Sequence, residues 1–483
     1  MKQESSAKSA VRLMSGAGIS CVITLVAAPI LARIYGPESY GGWATIFSTV
    51  SLLSVIGCLR YEVLIPLIEK EEDALGVVLA CFLGVAITSL VIFALIGSPL
   101  YGNQLLKDGI YQWRYWIVPA VALNALFLCG VMWSTRQKSF TLSAKSRVTS
   151  VTVQNAASIF GGLIGWASAL GLIGGYLIGR VAGVAMLFTG LFRGSASGLL
   201  RGVSFMSTLR IMRDNWRFPI INIWTPILSQ ASLQMPVFLL AALHGPIVVG
   251  LYAFGARIAE VPSALIAQSL GQVFYRRAAE LHTSGGLGDA LCNFVKQLIF
   301  LACPIYGAMI VVSPNVFALF FGQEWREAGV YLSILGCLRM AVFVFSPING
   351  LFNILGKHVA SVLFNALFMV VSVIGILLGS LVGPRFAIAL YSFGGLLILF
   401  SMVGFLLRSS GAAVGTLVRA VIYPVSAWVI LVIALLAHAN QSRESSGITL
   451  IGLAIGISIH LFWYCRCHPS LVQMAKTLCK RKG

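Results

Sequence analysis

The sequence predicts an all-α polytopic membrane protein of about 14 transmembrane helices, two six-helix lobes in a parallel repeat plus two C-terminal helices. Three observations predict it. Of 483 residues, 58% are hydrophobic and 10% charged, and the mean hydropathy is +0.91. A soluble globular chain carries about 25% charged residues, so this chain has more apolar surface than a water-soluble core could bury. Apolar stretches of about 20 residues, the length that crosses a bilayer core, recur from end to end. Finally, a glycine-proline motif repeats at a constant offset of 209 residues.

Taken in order, the apolar spans are 12–34, 38–58, 74–98, 113–135, 148–170, 173–193, 218–242, 246–272, 291–313, 328–351, 358–381, 386–407, 417–438 and 447–465. Met1–Ala10 is polar and the first apolar run is long enough to span, so the chain opens on a helix rather than a cleaved signal peptide. With the N-terminus inside, the inner segments hold 25 of the 34 Lys and Arg, densest at Arg136–Arg147, Arg193–Arg217 and Arg466–Lys482. The outer ends hold six: Arg33, Lys107, Arg114, Arg326, Arg385 and Arg443. That imbalance predicts cytoplasmic termini. It also accounts for the net charge of +19 without nucleic acid, because the basic residues are spread among apolar segments. The longest outer loops are about 99–112 and 314–327, and Tyr111, Trp113, Tyr115 and Trp116 form an interfacial aromatic belt.

The repeat sets the organisation. Gly36-Pro37-x-x-x-Gly41-x-Trp43-Ala44 recurs as Gly245-Pro246-x-x-x-Gly250-x-Tyr252-Ala253, each copy at the turn from an odd helix into an even one. The copies are six helices apart, which gives the halves one orientation and implies two lobes about an axis along the membrane normal. The expected units are an N-terminal lobe (1–193), a cytoplasmic link (194–217), a C-terminal lobe (218–407), and the last two helices with a tail (408–483). A cleft between such lobes is where a transported ligand would sit.

Charges inside a span are costly, so they mark candidate sites. Arg257 lies eleven residues below Pro246, a depth of roughly 16 Å at about 1.5 Å per residue. Arg339 reaches a similar depth, Arg180 is shallower, and Arg33 ends the first helix. Glu260, the one acid deep in a span, is i+3 from Arg257 on one helix face. Two readings stay open: the two neutralise each other and lock helices, or they face a cavity. In either case the interior is net positive, which suits phosphate or pyrophosphate and repels cationic drugs. Gln230 and Gln234 share a face, as do Gln268 and Gln272, and Asn349 and Asn353; Asn124, Gln154, Asn155 and Asn222 add to the supply. Such amides serve sugar hydroxyls or interhelical hydrogen bonds. Arg60 and Glu62, at the inner cleft mouth, meet a lipid phosphate, carry a proton, or simply anchor the surface. Cys465-Arg466-Cys467-His468 lacks a second ligand pair at zinc spacing, and there is no Walker pattern. No cofactor is expected, and a proton or sodium gradient is the candidate energy source.

Ala32-Arg33-Ile34-Tyr35-Gly36-Pro37-Glu38-Ser39-Tyr40-Gly41, followed by Leu59-Arg60-Tyr61-Glu62, resembles the polysaccharide transporter (Wzx-type) flippases. Their superfamily also holds the lipid II flippases and multidrug exporters, and Gly255-Ala256-Arg257-Ile258-Ala259-Glu260-Val261-Pro262-Ser263 is similar to a stretch of the former. The resemblance implies a flippase for an undecaprenyl-pyrophosphate-linked oligosaccharide, an O-antigen or exopolysaccharide repeat unit, in the bacterial plasma membrane. It implies that Arg33, Arg60 and Arg257 are counterparts of cavity arginines, with Arg180, Arg339, Gln230 and Gln234 as further substrate contacts from their depth and polarity, and Glu62 and Glu260 as coupling or ion-pair groups. It makes the last two helices an addition to the lobes. Further charged residues of the lipid II flippases' first two helices have no clear counterpart, which points away from lipid II as substrate. Expected partners are the lipid-linked oligosaccharide, membrane lipids and polysaccharide polymerase machinery. The rivals are a multidrug exporter of this fold, which would want acidic pockets, and a glycosyl polymerase or ligase, which would want a large outer loop.

Overall fold

Apolar length decides where these helices run, and small residues decide how closely they approach. The computed structural model describes residues 2–97, 111–192, 205–216 and 223–412, with isolated positions from 415 to 435. The helices are α1 (Lys2–Ile34), α2 (Pro37–Leu53), α3 (Glu71–Gly97), α4 (Ile117–Arg136), α5 (Phe140–Leu163), α6 (Ala169–Phe192) and α7 (Phe205–Asp214), then α8 (Trp224–Pro262), α9 (Gln268–Ser284), α10 (Leu287–Phe320), α11 (Arg326–Phe345), α12 (His358–Ser380) and α13 (Pro384–Ser409). Among the described residues there is no strand.

Nine described segments are long and apolar enough to cross a membrane, one of them the stretch Pro226–Ser284 of 59 residues. That stretch divides at Gly245, whose φ of 81° and ψ of −179° break α8 into two arms. A left-handed φ followed by Pro246 suits glycine and ends the first arm. With α2, which has 17 residues, and α5, each span expected between 12 and 407 has a helix among the described residues. The spans 417–438 and 447–465, the loop 99–112 and the tail lie outside the described residues, as does the link apart from 205–216 and the end of α6.

Three expected boundaries are wrong, two of them for reasons of packing and length. The fifth span, expected at 148–170, is Phe140–Leu163. Apolar counting fails because α5 hides a polar side: Ser143, Ser146, Ser150, Asn155 and Ser158 are all buried. Ser150 and Ser158 face α6, where Gly175, Gly179 and Gly183 recur every fourth residue. A Cβ at Gly175 would meet Ser158 and Gln154, at Gly179 Ser150 and Gln154, and at Gly183 Phe127 and Ser150. A small-residue stripe of this kind lets backbones touch where lipid supplies no hydrophobic drive between helices. The expected outer loop 314–327 is also largely helix, since α10 continues to Phe320 and α11 begins at Arg326.

The lobes meet along α2 and α8. Gly41 lies against the Pro246 carbonyl and Gly250 against the Pro37 carbonyl, so closely that neither position could hold a side chain. The two copies of the repeated motif therefore touch each other reciprocally, as a two-fold relation demands. Each motif also sends its aromatic residue onto the last helix of its own lobe: Trp43 lies 5.2 Å from Tyr176 and Tyr252 lies 6.5 Å from Tyr391 between ring centroids. At the same end Tyr40 packs edge-on against Phe254 and Trp325, each at 5.3 Å. The Trp325 indole N–H donates to the Ala32 carbonyl at 2.9 Å. This end of the interface is shut.

At the opposite end α2 stops at Leu53, five residues before expected, and the chain turns through Leu59 (φ 50°) and Arg60 (φ 63°). Left-handed backbone at non-glycine residues costs roughly 1 kcal/mol each. Arg136 holds the turn that follows. Its guanidinium donates to the carbonyls of Ile65 and Glu69, both at 3.0 Å, and also to that of Ile68.

Candidate functional site

Beyond the aromatic plug, between the lobes, lies a cavity of about 470 Å³. The N-terminal lobe contributes α1 with Ser20, Cys21 and Thr24, Asn124 of α4, Arg147, Gln154 and Asn155 of α5, and Arg180 of α6. The other lobe contributes Arg257 and Glu260 of α8 and Gln268 at the start of α9. Three arginines against one glutamate leave the lining with a formal charge of +2.

The α5–α6 glycine and serine stripe fixes one wall, and two cations are mounted on it. Arg180 follows Gly179, and its guanidinium sits 4.7 Å from the Phe127 ring centroid and 5.1 Å from that of Tyr176. Aromatic faces hold a cation without neutralising it, and its Nε is buried without a hydrogen-bond partner. Arg147 lies within electrostatic range of Arg180. Neither makes an ion pair among the described residues. Two like charges within electrostatic range, with no ion pair to either, suit an anion.

The facing wall is built differently. Arg257 and Glu260 are both exposed to the cavity, and no ion pair joins them. Of the two readings left open by the sequence, the cavity-facing one is realised. Just beyond, Ser263–Ala267 forms a π-turn after Pro262, a widening of the helix often found at functional sites. Tyr306 supports it, its hydroxyl donating to the Ala259 carbonyl at 3.2 Å and lying 3.1 Å from the Ser263 hydroxyl.

The other sequence candidates are not brought together here. Arg339 sits inside the C-terminal lobe among Tyr252, Tyr391 and Tyr306, within electrostatic range of Glu260 but outside the cavity lining. Arg33 is at the shut end, its Nε donating to the Phe320 carbonyl at 3.4 Å. Arg60 pairs with Glu62 at 3.2 Å, and both lie away from the cavity, turned toward the α3–α4 core. Glu62 is 5% exposed, and its Oε2 has no partner. Burial pushes its carboxyl above the ordinary range, outweighing the opposite pull of Arg60. The pairing that would lower an acid's pKa is present and is overruled by desolvation. Gln230 and Gln234 are half-buried on the first arm of α8, outside the lining. Asn222 lies outside the described residues.

Arg147 is not among the sequence candidates. It falls with the inner loop when the fifth span is placed at 148–170. A signal exists all the same: Arg147, Ser150, Val151, Gln154 and Asn155 follow helical spacing along one stripe.

Paired helical lobes around a cavity are an architecture that solved structures share. A solved structure of the lipid II flippase MurJ in an inward closed conformation aligns with a TM-score of 0.74, covering 96% of this chain and 100% of that one at 13% identity. The MATE multidrug transporter DinF-BH aligns with a TM-score of 0.57, covering 84% and 95% at 14% identity. An inward-facing multidrug resistance MATE transporter of the MOP superfamily gives 0.53, covering 83% and 94% at 14%. At these identities the fold is what is shared. Residues 30–330 match the family model described as "Polysaccharide biosynthesis protein". That is more than half of the chain, which belongs to this family. No curated protein matches the sequence.

Proposed function

We propose that this protein is a flippase carrying an undecaprenyl-pyrophosphate-linked oligosaccharide, an O-antigen or exopolysaccharide repeat unit, across the bacterial plasma membrane. The observation that carries this reading is the uncompensated Arg147–Arg180 pair in the interlobe cavity, with Arg257 opposite. Guanidinium forks match phosphate oxygens in pairs, and a pyrophosphate is the anion that two neighbouring arginines suit. Amides at Asn124, Gln154, Asn155 and Gln268 in the same lining supply partners for sugar hydroxyls. The prenyl tail stays in lipid while the head group occupies the cavity. Rocking of the lobes about the glycine-proline seam then exposes the head group on the far side, driven by a proton or sodium gradient. The termini are cytoplasmic, the substrate leaves chemically unchanged, and a polymerase receives it.

The test is reconstitution of the full chain into vesicles with a fluorescent prenyl-pyrophosphate oligosaccharide and a membrane-impermeant glycan-cleaving enzyme outside. Head groups are expected to become cleavable at a rate that depends on the protein, and Arg180→Glu is expected to abolish it. Movement of a cationic dye with no movement of the lipid would overturn the proposal.

A further inference from the structure

The lobes are joined through α7, and its exposed surface points to a ligand of its own. Ten residues at about 1.5 Å each make it roughly 15 Å long, half of a bilayer core. Over its described residues it is too short to span. It lies at the Glu62 end, packed on α3, where the Tyr61 hydroxyl donates to the Met212 carbonyl at 3.2 Å. It is the most amphipathic of the described helices.

Placing its residues at about 100° intervals separates two faces. Thr208, Ile211 and Met212, with Asn215 just past the end, lie together and turn into the N-terminal lobe; Thr208 is fully buried, and Ile211 and Met212 pack on the core of Tyr61 and Leu64. The outward face grades from apolar to charged. Along one edge are Leu209 (41% exposed) and, just past the helix, Trp216 (53%). Along the other are Arg210 and Asp214, and between the edges lie Met206 (67%) and Arg213, whose side chain is 86% exposed. The Arg213–Asp214 contact of 3.9 Å is an exposed pair of little worth. Water suits the arginines but not the exposed tryptophan and leucine, and hydrocarbon suits the reverse. The headgroup layer suits both, with tryptophan at headgroup level and guanidinium on phosphate.

We infer that the outward face of α7 is a docking surface for anionic phospholipid in the leaflet at the Glu62 end. Arg210 and Arg213 bind headgroup phosphates, and Met206, Leu209 and Trp216 enter the acyl boundary. Because the buried face of α7 is fixed to the turn after α2, the lipid bound there anchors the N-terminal lobe at the point where the lobes are joined. This site is separate from the interlobe cavity and independent of what that cavity carries.

The full chain is reconstituted with brominated phosphatidylglycerol or brominated phosphatidylcholine, and the Trp216 signal is taken as the difference between the wild type and Trp216→Phe. Trp216 is expected to be quenched by both lipids, reaching half-effect at a roughly 30-fold lower fraction of phosphatidylglycerol, since each basic residue near an anionic surface contributes about 1 kcal/mol. Arg210→Gln with Arg213→Gln should remove that preference, while Arg210→Lys with Arg213→Lys should keep it. Absence of Trp216 quenching in either lipid overturns the docking surface. Equal quenching in both lipids, unchanged by the glutamine variants, overturns anionic recognition. Monodisperse elution of each variant excludes misfolding as the cause.

Discussion

The two ends of the interlobe interface, built from the same pair of helices, have opposite character. At the Pro37 and Pro246 end, α2 and α8 meet through the two copies of the repeated motif, glycine on carbonyl in both directions. Further along, the same helices diverge. The residues 209 positions before Arg257 and Glu260 are Ser48 and Ser51 on α2, and Ser48 is buried in its own lobe at 2% exposure. The seam kept the symmetry of the repeat because two backbones in contact tolerate only glycine. The cavity lost it, since a wall facing open space accepts any side chain. The N-terminal lobe instead places its cations on α5 and α6. Symmetry marks the seam and asymmetry marks the cavity.

The comparison breaks most sharply at the seam. Gly41→Leu and Gly250→Leu should each destabilise the protein by about 3 kcal/mol, the upper range for overpacking, and by similar amounts. Thermal unfolding in detergent measures both, and free tolerance of one alone would mean that the seam is not reciprocal. On the cavity side, Arg147→Gln and Arg180→Gln should each weaken binding of inorganic pyrophosphate about 10- to 100-fold, the loss of a hydrogen bond from a charged donor. Glu260→Gln should strengthen it several-fold, because it removes the one acid in the lining. Calorimetric titration decides, and a weaker Glu260→Gln complex would make that carboxylate an orienting partner of Arg257.

The smallest expected effect is at Glu62. Burial raises its pKa, so the folded state holds the proton more tightly than the unfolded chain. The stability this gives is fully present below the unfolded value of about 4.3 and is lost as pH rises through the folded value. Glu62→Gln removes the loss, so the variant should gain on the wild type in melting temperature from acid towards neutral pH. A gap that stays constant across that range would show that Glu62 does not titrate there.

Much of the fold was legible because a bilayer leaves a chain few options. Each apolar run of sufficient length must be a helix that satisfies its own backbone, and a repeated turn motif must lie in equivalent places. The legible part ended where polarity was hidden by packing. α5 escaped apolar counting because its serines are buried, Ser150 and Ser158 against the glycines of α6, and Arg147 was displaced with it. Arg257 and Glu260 were legible as rare charges in an apolar helix, and both face the cavity. Arg33, Arg60 and Arg339 were legible for the same reason and lie elsewhere, because the depth of a charge does not fix the direction in which its helix face turns.

The sequence by itself thus determined the membrane as solvent, the helical class and the parallel repeat, since these follow from apolar length, composition and a constant offset along one chain. Only the tertiary structure decided which of the arginines share a cavity, that Arg257 and Glu260 remain unpaired, and that the two glycine-proline turns touch each other. Those are questions of helix rotation and contact across the lobes, and they are set by the packing of small residues rather than by any property of the segments taken singly.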